Sequence, residues 1–369
     1  MPVVGEVIYQ RVFDLGATLN MQKVREILGE MAVFGAVQPS RSAPEYVSFA
    51  APIPLNLSSL NMDLKTEQGA PVMLSARLYE VGALGVMLRF QVKTENLLEL
   101  ARLQNSNVYM RGELVRRAQV FAAVFDAIKP KVFSAYDEVF DVPVEAESYT
   151  AYCLTEVPGG VEYAFREERA NIAALLTGEP HPDRLSDMEV EDTLKNWLSY
   201  YKDDILVADW DAAFLVEPAA QYEDALYIFE VANLQLLELR KYDLYLDQTL
   251  ERGYDEFERL AKGPPIYTGS AREMVRELNE VRMDLAKVTD EVANTAKFFG
   301  DWYAAKVYLG LADRLHINDY HKTVEEKLAT LNDLYHSVLA EMTTRQNLVL
   351  EGTIVLLIVF EVVMALFRH

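Results

Sequence analysis

The stretch Leu348 to Phe367, LVLEGTIVLLIVFEVVMALF, holds fourteen Leu, Ile, Val or Phe in twenty positions and constrains the fold more than any other part of the chain. As an α-helix, twenty residues reach about 30 Å, the thickness of a bilayer's hydrocarbon. On an insertion scale the fourteen apolar side chains contribute about −6 kcal/mol, and Glu351 and Glu361 together cost on the order of +4 kcal/mol, so transfer into lipid is favoured. A helix of a soluble bundle keeps a polar face, and no face of Gly352 to Phe360 is polar. The segment therefore reads as a transmembrane anchor. With Arg368 and His369 alone following it, the expected topology is tail-anchored, everything before the anchor staying on the side of synthesis.

The two glutamates share a stripe, since Glu351, Ile354, Ile358, Glu361 and Ala365 step by three and four. A carboxyl group in hydrocarbon needs a partner, and one span per chain finds it on another chain, so the stripe predicts a homo-oligomer.

Charge narrows the partners. The chain carries 35 Lys and Arg against 57 Asp and Glu, a formal net charge of −22. Such a body repels polyanions, which argues against direct nucleic-acid binding and against attachment to anionic lipid through charge. The expected partners are membrane lipid, further copies of the chain, and a protein whose identity the sequence does not carry. The single cysteine, Cys153, rules out an internal disulfide and a cysteine metal cage, and its apolar surroundings predict a buried side chain. The opening MPVVGEVIYQ lacks the pattern of an export signal or presequence, which predicts a bacterial inner membrane with the head in the cytoplasm.

The first 217 residues read as an α+β head with ferredoxin-like or related layering. Val3 to Phe13 is rich in β-formers, Met21, Val24, Leu28 and Met31 share a helical face, and Tyr46 to Ala50 is a short extended run. Val72 to Leu78 and Val86 to Val92 alternate around Gly82 and Gly85, a hairpin signal. Glu95 to Ile128 turns helical, with Leu114, Ala118, Phe121 and Phe125 on a stripe and Pro130 as the stop. Strands are expected at Tyr149 to Glu156, Val161 to Phe165 and Asp204 to Val216, with a helix capped by Ser186 between them.

Residues 218–347 are helical, with coiled-coil character. Apolar residues from Tyr222 to Leu260 step by three or four, Gly263-Pro-Pro breaks the run, and a second helix starts near Ser270 to make a helical hairpin. Thr323 with Glu326 matches a capping box opening a third helix, in which Val324, Leu331, Val338 and Met342 keep the spacing. A helix from Lys322 to Phe367 is roughly 70 Å long, so part of it stands in water.

The tail RQNLVLEGTIVLLIVFEVVMALF resembles the end of the family named for its requirement in meiotic nuclear division, through Leu350-Glu351 and Glu361-Val362. Gly352-Thr353 stands where that family has Trp-Ile. YYKDDILVADWDAAFLVEP, Tyr200 to Pro218, is similar to the family's strand before its helical region. The resemblance implies an integral membrane protein that forms large homo-oligomers and acts as an anchor or organiser without catalysis, and it brings no catalytic residues and no cofactor.

Chemistry, were there any, has one place to reside. His181 with Asp183, and the carboxylates Asp203, Asp204, Asp209 and Asp211, form an oxygen-rich region of the kind that holds a divalent cation, the alternative reading being a metal-dependent enzyme or regulator. In DWDAAF a strand would turn Asp209 and Asp211 to one side and Trp210 to the other. EF-hand spacing, a phosphate-binding glycine loop, a nucleophile elbow and HExxH do not occur.

Overall fold

A computed structural model describes residues 2–33, 52–101, 103, 106–139, 142–262, 276 and 302–367. In chain order the strands are β1 (Val3–Asp14), β2 (Ala17–Leu19), β3 (Ile53–Leu55), β4 (Leu64–Thr66), β5 (Met73–Tyr79), β6 (Ala83–Thr94), β7 (Asn107–Met110), β8 (Glu113–Arg116), β9 (Tyr136–Val139), β10 (Glu147–Glu156), β11 (Trp197–Leu198), β12 (Ile205–Ala208) and β13 (Ala212–Val216). The helices are α1 (Met21–Leu28), α2 (Leu97–Ala101), α3 (Arg117–Val132), α4 (Gly160–Glu167), α5 (Arg169–Thr177), α6 (Asp187–Leu194), α7 (Glu223–Lys262), α8 (Trp302–Arg314) and α9 (Ile317–Phe367). The chain is α+β, a mixed sheet-and-helix domain followed by long helices.

It divides into two compact units, Met1–Arg240 with Ala293–Asn318, and Lys241–Val292 with Asp319–His369. The first is built on an eight-stranded sheet in the order β11-β12-β13-β10-β1-β6-β5-β3, larger than a ferredoxin-like layer. Its pairs are antiparallel except β10 with β13. Strand β1 lies at the centre, pairing Val7 with Phe90 on one side and Tyr152 on the other. Its alternate residues bury on opposite faces. Val3, Val7 and Tyr9 join Phe90, Tyr152, Phe214 and the apolar sides of α3 and α5. On the opposite face Val12, Tyr79 and Ala83 pack against Leu234 and Leu237 of α7. Residues 228–239 of α7 are buried without a break, so this part of the helix is covered all round.

Long periodic segments behave as their patterns predict. β1, β5, β6, β10, α1 and α7 fall where alternation or helical spacing puts them, and Ser186 caps α6 by accepting the N–H of Glu189 at 3.2 Å. Gly82 makes the β5–β6 turn with φ +85°, and a Cβ there would stand 1.6 Å from the Ala17 carbonyl oxygen.

In the first unit four expectations are corrected. The stretch Glu95 to Ile128 is not one helix. Asn96 caps the short α2 by accepting the Glu99 N–H at 3.1 Å, and Arg111 and Gly112, both at positive φ, close the β7–β8 hairpin. Leu114 consequently sits exposed on β8 rather than on a helical stripe. Pro130 lies inside α3, which forfeits one hydrogen bond and ends two residues later in a 3₁₀ turn. Val161 to Phe165 is helical, because Gly159 and Gly160, both left-handed, end the extended backbone and start α4. Asp204 to Val216 is a hairpin of β12 and β13 whose turn is Asp209 to Asp211.

The second unit packs α7 against α9 through Leu250, Phe257, Leu334, Val338 and Met342. Lys327 bridges Asp243 and Asp247 at 2.6 Å each, and Gly253 admits the Leu334 side chain. Both contacts advance along both helices, so the two run parallel. Helix α9 begins at Ile317 rather than at Thr323, whose hydroxyl donates to the Asp319 carbonyl at 3.0 Å within the helix. Tyr46 to Ala50, Gly263-Pro-Pro and most of the helix expected from Ser270 lie outside the described residues.

Candidate functional site

The end of α9 differs from its beginning. Val324, Leu331, Val338 and Met342 are buried, and Arg345 is still 7% exposed with its guanidinium on Glu341 at 2.8 Å. From Gln346 on, every side chain described is exposed. Leu356 at 69%, Leu357 at 57%, Ile358 at 55% and Val359 at 55% follow one another at about 100° steps around the helix, so no face is covered. The helix is long and apolar enough to cross a membrane, and none of its apolar window is buried. A core helix of a soluble protein passes the same test of length and composition but hides most of its surface.

Two local features suit a medium without water. The Thr353 hydroxyl donates to the Val349 carbonyl at 2.8 Å, so the one hydroxyl in the apolar run is satisfied by its own backbone. The helix also continues unbroken through Gly352. Glu351, Ile354, Ile358 and Glu361 are exposed on the helix that Ala365 continues, and among the described residues neither glutamate meets a cation.

The metal-ligand candidates are dispersed. His181 and Asp183 are exposed on a loop and a 3₁₀ turn, and the His181 N–H donates to the Glu179 carboxylate at 3.0 Å. Asp204 is buried and accepts the N–H groups of Tyr200 and Tyr201 at 2.8 and 3.0 Å, capping a turn, while Asp203 is exposed. The hairpin separates the DWD carboxylates. Asp209 is buried and ion-paired with Arg314 of α8, which also reaches Asp192 at 2.7 Å, and Asp211 is exposed in the turn. Desolvation, then the nearby Asp209, raises the Asp211 carboxyl above its ordinary range against the pull of Arg240. Among the described residues no three His, Cys, Asp or Glu side chains converge as metal ligands do.

Sequence reasoning missed the polar seam between the sheet and α7. Glu230 of α7 pairs with Arg77 of β5, and Arg89 of β6 holds Glu6 of β1 and Glu223. Tyr222 donates to Glu6 at 2.8 Å, and Arg240 meets Glu147 of β10 at 2.6 Å. Gly85 belongs to this seam, since a Cβ there would lie 2.3 Å from a Glu230 carboxylate oxygen. Charged residues inside apolar periods, Glu6 in β1 and Glu230 in α7, were the available signal. The pairs fix where α7 lies on the sheet.

A family model described as the N-terminal domain of the uncharacterised protein MJ0711 matches residues 4–223, more than half of the chain, and the chain belongs to that family. The protein itself, from Methanocaldococcus jannaschii, is 25% identical over 246 residues, 64% of this chain and 74% of the archaeal one. No solved structure matches. The family match covers the sheet and ends at the first residue of α7.

Proposed function

We propose that this chain is a membrane adaptor without catalysis. Residues 348–367 cross the bilayer once, the α+β unit and the helices before the span stand on the cytoplasmic side of a prokaryotic inner membrane, and the chain works by holding a protein partner. The observation that carries this reading is the bare apolar surface of α9 beyond Arg345, which water solvates poorly and lipid solvates well. Copies associate through the stripe of Glu351, Ile354, Ile358, Glu361 and Ala365, because a carboxyl group in hydrocarbon is stabilised by a partner across a helix interface. The likeness of the tail to the meiotic-division family belongs to the same proposal. The carboxylates from Asp203 to Asp211 have structural partners or face solvent separately, which favours an adaptor over a metal-dependent enzyme.

The test is fractionation of cells making the full chain. It is expected in the membrane pellet after an alkaline carbonate wash, and Leu356→Lys with Val359→Lys moves it to the supernatant. Crosslinking in detergent is expected to give oligomers that Glu361→Leu weakens. Recovery of the intact chain as a dispersed soluble protein without detergent overturns the membrane reading. A detergent-solubilised monomer, with or without Glu361→Leu, overturns the oligomer.

A further inference from the structure

In a chain with 57 acidic residues against 35 basic ones, an arginine can readily find an acid. Arg77, Arg89, Arg240 and Arg314 all do. Three others gather instead around a cleft of about 470 Å³ beside the first turn of α3, within the range of small-ligand sites. The floor is the sheet face that carries Tyr9 and Arg11 of β1 with their cross-strand partners Thr150 and Ser148 of β10. The wall is Arg116 and Arg117, at the N-cap and first position of α3.

Among the described residues no carboxylate lies within ion-pair distance of Arg11, Arg116 or Arg117. The Nε of Arg11 is buried and has no hydrogen-bond partner. The guanidinium of Arg117 lies over the Tyr9 ring, 3.4 Å from its centroid, which occupies one face and leaves the N–H edges free. Burial lowers its proton affinity, and the groups that act on it are phenols. An arginine N-cap has donors only, so its side chain cannot accept the N–H groups of the first helical turn, and the positive end of α3 faces the same cleft. Thr150 and Ser148 add hydroxyls.

We propose that this cleft is a binding site for a small phosphate-bearing anion, either a water-soluble phosphate or the headgroup of an anionic lipid. Three cations and a helix N-terminus are matched by a dianion with several acceptor oxygens better than by a single carboxylate, and the guanidinium fork fits phosphate bidentately. The surrounding charge of −22 selects against polyanions and in favour of a compact ligand. The site does not depend on whether α9 spans a membrane.

The experiment is calorimetric titration of the full chain in nonionic detergent with pyrophosphate and, separately, with dihexanoyl phosphatidic acid below its micellar concentration. Saturable binding is expected, weakened about tenfold or more by Arg117→Gln and by Arg11→Gln, with Arg117→Lys retaining part of the affinity. Arg116→Gln, at an exposed position, gives a smaller loss in a fully folded chain, as circular dichroism will verify. Binding of pyrophosphate identifies a soluble phosphate, and binding of the lipid alone identifies a headgroup. Dilution heats alone for both ligands at millimolar concentration overturn the proposal, as does an affinity unchanged by both Arg117→Gln and Arg11→Gln.

Discussion

Two helical stretches of this chain are mostly apolar, and they meet opposite fates. Residues 228–239 of α7 are buried throughout, whereas residues 348–367 of α9 are bare wherever their side chains are described. Both contain glutamates. In α7, Glu230 has Arg77 of the sheet as partner. Glu351 and Glu361 in α9 have no cation among the described residues. The fate of the charges therefore separates a helix buried within its own chain from one whose apolar surface the chain leaves uncovered.

The largest expected effect that separates the two stretches comes from matched truncations. Phe229, fully buried and 5.2 Å from the Tyr149 ring, is expected to lose about 3–5 kcal/mol of unfolding free energy as Phe229→Ala. Leu356→Ala is expected to change the same free energy, read from urea unfolding, by less than about 0.5 kcal/mol. Equal effects would erase the comparison.

A somewhat smaller effect sharpens the electrostatic half. Arg77→Ala leaves the Glu230 carboxylate buried beside Gly85, and a loss of about 3 kcal/mol is expected in urea unfolding. The pair Arg77→Met with Glu230→Met is expected to recover most of it, because the unpaired charge is gone. If the double variant is no better than Arg77→Ala, the seam owes its stability to attraction rather than to mutual neutralisation.

The smallest effect is the pH response at the surface of the same unit. Hydrogen bonds from Arg314 and then Lys195 hold the Asp192 carboxyl below its ordinary value. A carboxyl depressed in the folded state stabilises above its unfolded value, and that contribution is lost as pH falls through the folded value, in the window below about 4. Titration followed by NMR should find Asp192 depressed in the native chain and returned toward the ordinary value in Arg314→Gln.

What the sequence made legible follows from the range over which each signal acts. β1, β6 and α7 could be read because their patterns repeat for ten residues or more, and α9 beyond Arg345 because its composition is apolar on all sides. Segments of four residues bounded by positive-φ turns, such as β7 and β8 around Arg111-Gly112, carry too short a period to be told from a helical stripe. Asp209 and Asp211 looked like a pair because they are two residues apart. Their separation depends on a turn and on Arg314, which is 105 residues away and has no local signature. Arg11 and Arg117 come together only when β1 meets the start of α3.

The first unit is discontinuous along the chain, since Ala293–Asn318 returns to complete what Met1–Arg240 begins. On a ribosome, β1 is made early yet waits for β10, some 140 residues later, and Asp209 and Gln235 wait longer still for Arg314 and for Tyr308, whose hydroxyl reaches Gln235 at 2.5 Å. Such distant pairings make folding slow and leave strand edges open during synthesis. The unit closes only after residue 318 has emerged, so a nascent chain has about thirty residues in which to finish it before the apolar stretch at Leu348 follows.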